Sequence, residues 1–155
     1  MVQKTLSAAV LGLGLLWATG CDTKKETPKA NKPAEDHDDH GPGPHGGVII
    51  EFGKYHGEFK PDHAKKEATV WILGADAQKP ARIKADKLLL VVSNTKPEIK
   101  IDLLPTDKAD DGTASVFVGR HDGFGVEMEY EGTVSATIDG KPYSGDFKEK
   151  AEPKK

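Results

Sequence analysis

The sequence predicts an all-β fold, a single antiparallel β-sandwich of immunoglobulin-like architecture, and three observations predict it. Apolar runs between residues 45 and 148 are short and rich in β-branched residues. Turn pairs built on Gly, Asp and Lys separate them at close intervals. No window of about 11 residues carries a 3.6-residue apolar period, so amphipathic helices are not expected. Seven to nine short strands with this punctuation suit a sandwich, with a small closed barrel as the alternative.

The elements follow in order. Residues 48–52 and 55–59 flank Gly53-Lys54, a two-residue hairpin loop with Gly first, as a type II′ turn requires. Residues 68–73 (ATVWIL) and 88–92 (LLLVV) are nearly continuous apolar runs and read as buried strands. Residues 98–103 alternate, with Ile99, Ile101 and Leu103 inward and Glu98, Lys100 and Asp102 outward. Residues 114–118 form the next strand after the turn Asp111-Gly112. Val126, Met128 and Tyr130 alternate with Glu127, Glu129 and Glu131 and predict another. Residues 133–138 and 141–147 flank Asp139-Gly140, the strongest hairpin signal in the chain. Pro142 cannot donate to a central ladder and puts the last strand at an edge.

Around this domain the composition changes. Residues 1–20 read as a secretory signal: Lys4, then an apolar stretch from Leu6 to Trp17, then Ala18, Thr19 and Gly20. Cys21, the sole cysteine, follows directly and resembles the lipidated residue of a bacterial lipobox. An ordinary signal peptide with an incidental cysteine is the alternative. A diacylglyceryl thioether plus an amide-linked chain would hold the protein stably on a membrane. The expected location is therefore the cell membrane, lipid-anchored and facing the periplasm or exterior. Residues 21–44 hold four prolines and no aromatic side chain, and read as a disordered tether. The domain spans 45–148, and 149–155 form a charged tail. All nine aromatic residues outside the signal lie between Phe52 and Phe147.

Charge and chemistry exclude several functions. With 25 acidic and 22 basic side chains the chain is no strongly basic nucleic-acid binder. One cysteine excludes an internal disulfide and any site of two thiolates. Ser93, Ser115, Ser135 and Ser144 sit in no G-x-S-x-G elbow, and there is no phosphate loop, H-E-x-x-H or C-x-x-C. An enzyme is not expected.

Histidine carries the remaining signal, since five of the six histidines lie between residues 37 and 63. Imidazole with carboxylate is a ligand set for zinc or Cu(II). The candidate ligands are His37 and His40 in the tether, His45 at the domain entrance, Glu51, His56 and Glu58 on the first hairpin, and His63 beyond it. Pairing across Gly53-Lys54 sets Glu51 opposite His56, on the face away from the core, with Glu58 two residues further. His45 lies too far along for His56 unless Gly46-Gly47 bend the chain back. His121, beside Asp122 in a Gly-rich loop, joins a site only if the fold brings that loop close. The alternative is a structural or protein-interaction sandwich of the envelope, on which these residues form ordinary surface.

The same residues carry a resemblance. Gly43-Pro44-His45-Gly46-Gly47, Glu51, Gly53 and Tyr55-His56-Gly57-Glu58 form a segment similar to one in small secreted planctomycete-type lipoproteins. Similar segments occur in regions attached to periplasmic adaptor subunits of heavy-metal efflux systems. The resemblance implies His45, His56 and Glu58 as site residues, and a metal-efflux or other envelope protein as partner. Gly57 departs from the larger apolar residue usual there. No cofactor is certain, zinc and Cu(II) being the candidates, and a monomer is expected.

Overall fold

A computed structural model describes residues 41–149. The signal, Cys21, His37, His40 and residues 150–155 of the tail lie outside the described residues. Eight strands form in chain order: β1 (Val48–Phe52), β2 (Tyr55–Asp62), β3 (Glu67–Leu73), β4 (Leu88–Val92), β5 (Ile99–Pro105), β6 (Val116–Arg120), β7 (Glu131–Ile138) and β8 (Lys141–Lys148). The only helical piece among the described residues is a 3₁₀ turn, Asp122–Gly125.

The strands make one antiparallel sheet in the order β1-β2-β3-β6-β5-β4-β7-β8. β3 lies beside β6 rather than β4, a Greek-key connection of the kind sandwiches use. β5 and β6 share only two residue pairs, Leu104↔Val118 and Pro105↔Phe117. At this narrow seam the sheet turns, and its two halves enclose one core. At the other end β8 returns to β1. Gly145 lies directly against the Glu51 carbonyl oxygen, and the Tyr143 ring stands 6.0 Å from Phe52 and 6.3 Å from Tyr55. The all-β expectation holds, and the curled sheet is nearly closed, so that sandwich and barrel meet in one architecture.

Alternation decides the core. Ile50, Phe52, Phe59, Val70 and Ile72 point inward from β1–β3 and meet Leu88, Leu90, Val92, Ile99, Leu103 and Val134 from the other half. Burying each large side chain contributes about 1.5–3 kcal/mol of transfer free energy. The first hairpin has the expected register, Phe52↔Tyr55 and Glu51↔His56, with φ of +67° at Gly53. Asp139 and Gly140 both have positive φ, 50° and 76°, as a type I′ turn requires.

The stretch Val126–Tyr130 does not form a strand, although its residues alternate. Tyr130 is fully buried, and its hydroxyl shares its one hydrogen between the carbonyls of Gly123 (2.9 Å) and Val126 (2.5 Å). Those bonds fold residues 123–130 into an arch, and the backbone leaves the ladder. Burial, then the charge of Glu149, raises the Tyr130 phenol above its ordinary range.

Candidate functional site

The outer face of β1–β3 carries the candidate residues, and two loops cover it. The first is residues 43–47. Gly46, with φ of +76°, turns the chain back, and Gly43 and Gly47 exchange a 2.9 Å hydrogen bond across the turn. The turn lands on Glu58. One carboxylate oxygen accepts the backbone N–H groups of His45 and Gly47, both at 2.8 Å, and the other meets His45 Nδ1 at 2.7 Å. Glu58 is thereby fully buried. Gly43 presses on its side chain and Gly47 on the Phe59 carbonyl, so a Cβ at either position would collide. The His45 ring stacks on Trp71, centroids 4.3 Å apart and planes 9° from parallel. Lys60 Nζ donates to the His45 carbonyl at 2.6 Å. The glycine-rich motif thus works as a clasp on β2.

The second loop, residues 74–80, covers His56. Leu73, next to His56 in register, bridges to Pro80, and Asp76 Oδ1 caps the N–H groups of Gln78 and Lys79. These backbone hydrogen bonds hold the Asp76 carboxyl below its usual range. His56 is 8% exposed, and its Nδ1 contacts the Gly74 carbonyl at 2.9 Å. A carbonyl can only accept, so Nδ1 carries the hydrogen and the neutral ring keeps its lone pair on Nε2. That nitrogen faces Glu51 Oε2 at 3.4 Å.

The remaining histidines sit apart. His63 Nδ1 donates to the Phe124 carbonyl at 2.8 Å. His121 caps the 3₁₀ turn, its Nδ1 accepting the Gly123 N–H at 3.1 Å. The outer face therefore resolves into two pairs, His45–Glu58 and His56–Glu51. Among the described residues no three His, Cys, Asp or Glu side chains converge as a metal-binding group. No described helix is long and apolar enough to cross a membrane.

Asp107 has no sequence signal beyond its place in a polar loop, yet it is a hub. It accepts from Ser115 Oγ (2.6 Å), from the N–H groups of Ser115 and Val116 (3.0 Å each) and from Arg82 (3.0 Å). Burial pushes its carboxyl up, but these donors prevail and hold it down at about 2.

Comparison of the chain with protein-family models, with curated proteins and with solved structures finds no match.

Proposed function

We propose that this protein is a lipid-anchored extracytoplasmic β-domain that binds a divalent transition metal, zinc foremost, at the His56–Glu51 pair. The observation that carries the reading is the 3.4 Å between His56 Nε2 and Glu51 Oε2. Two ligands of one tetrahedral zinc, each about 2.0–2.1 Å from the metal, stand about 3.4 Å apart. Cis ligands of a square Cu(II) stand closer, at about 2.8 Å. The anchored Nδ1–H supports the same reading, because a carbonyl behind a histidine orients it for a metal. Two protein donors with water completing the shell make an exchangeable site, fit for buffering or handing on an ion. The ligating imidazole must be neutral, so acid weakens binding.

A second reading, an envelope interaction module with no metal role, draws support from the clasp. His45 and Glu58, two of the residues behind the resemblance, hold the entrance loop on the barrel.

Calorimetric titration of residues 21–155 with Zn and Cu(II) separates the two. The metal reading expects one zinc per chain and loss of that binding in Glu51→Gln, an exposed change that spares the fold. Binding no tighter than that of a histidine-containing control peptide would overturn it. Binding that vanishes only when residues 22–44 are deleted would place the site at His37 and His40. The anchor has its own test: Cys21→Ala should leave the membrane fraction, and retention there would refute lipidation.

A further inference from the structure

We propose that a groove between residues 94–99 and 121–128 binds an apolar chain ending in a carboxylate, a fatty acid by chemical class. It shares no residue with the His56–Glu51 pair. The groove is open to solvent and has a volume of about 500 Å³, within the range of small-molecule sites. Its apolar walls are Pro97, Ile99, Val126 and Met128, and Lys96 and His121 stand among them. Val126 is 58% exposed, one of two large apolar side chains so open among the described residues.

Lys96 is the one Lys, Arg, Asp or Glu side chain that lines the groove, and Glu98, Asp122 and Glu127 flank its lining residues in sequence. No carboxylate side chain lines the groove. Lys96 forms no ion pair among the described residues, whereas nearby Lys66 is held by Asp122 at 2.9 Å. His121 accepts the Gly123 N–H on Nδ1, so its Nε2 carries the hydrogen and can donate to an oxygen anion. Asn94 braces the wall, donating to the Glu129 carbonyl (2.8 Å) and accepting the Glu131 N–H (3.0 Å).

The apolar walls favour a single-headed amphiphile over a peptide. A peptide lying there would bring a backbone donor and acceptor at each residue, and each buried without a partner costs about 1–3 kcal/mol. Pro97 has no N–H, and the side chains of Ile99, Val126 and Met128 offer no hydrogen-bonding partner of useful strength. A hydrocarbon chain needs no such partners, and its one polar end meets the lysine and the imidazole.

The test is NMR titration of residues 21–155 with sodium decanoate, decanol and an apolar tripeptide. Decanoate should shift the amide resonances of residues 94–99 and 121–128. Lys96→Gln should weaken decanoate about three- to tenfold while leaving decanol unchanged. Val126→Asn should weaken both. The proposal is overturned if decanoate moves none of these resonances at millimolar concentration. It is also overturned if Lys96→Gln leaves the decanoate-to-decanol preference intact, or if the tripeptide binds there more tightly than decanoate.

Discussion

Glu58 shows how far one side chain's setting departs from its sequence pattern. It alternates with Gly57 and Phe59, so it points away from the main core, and a polar outward residue is ordinarily surface. Here a loop from outside the hairpin supplies two backbone N–H groups and an imidazole, and the carboxylate is buried in that cradle. Glu58→Ala orphans those donors and should cost about 3 kcal/mol in urea unfolding. A loss below about 1 kcal/mol would mean that the clasp is not structural. Asp107 sets a second residue-scale expectation. Its carboxyl falls from an ordinary 3.8 to about 2 on folding, so the unfolded chain binds the extra proton between those values. The stabilisation is whole above about pH 4 and is lost as pH falls through about 2. Allowing for 30% exposure, it amounts to about 1–2 kcal/mol. Asp107→Asn should remove that slope from the acid-unfolding curve, and an unchanged curve would refute the role.

Among the elements, the hairpins were legible because their registers are local. Two-residue turns with Gly or Asp-Gly fix which residues face each other, and both hairpins pair as their turns demand. The arch at residues 123–130 was not legible, because its period of two is real while its Gly123 and Val126 carbonyls turn to the Tyr130 hydroxyl and its Glu129 carbonyl to the Asn94 side chain. Gly57 stands where the resembling segments carry a larger apolar residue. In the fold a Cβ there would sit 3.5–3.6 Å from Ile50 and Val70, ordinary contact distances. Gly57→Ala should therefore raise stability by about 0.5–1 kcal/mol. Gly145→Ala should do the opposite, since its Cβ would meet the Glu51 carbonyl oxygen where β8 closes on β1. Hydrogen exchange should then show β8 opening ahead of the rest of the sheet. Equal melting temperatures for the two variants would contradict this account.

At the scale of the whole molecule, the barrel owes its stability to a continuous apolar interior. The buried aromatics Phe52, Phe59, Phe117, Phe124, Tyr130 and Phe147 belong to one cluster drawn from both halves of the sheet. The proposed metal pair lies on the outer face, beyond that cluster. Removing metal with EDTA should leave the melting temperature of the domain within about 2 °C, unlike a zinc finger, whose fold depends on its ion. A large drop would show that the metal holds the fold itself.

The sequence by itself determined the all-β class, the alternation of the strands, both hairpin registers and the facing of Glu51 and His56. These follow from side-chain period and turn chemistry, which act over a few residues. Only the tertiary structure decided what covers that outer face. Whether Glu58 meets water or the 43–47 turn, whether His45 joins Glu58 or His56, and whether His121 approaches the hairpin all depend on loops returning from distant positions. The hydrogen bonds that settle these choices join residues 11 to 18 apart at the clasp and the His56 cover, and 61 apart at His63. No local periodicity encodes contacts of that range.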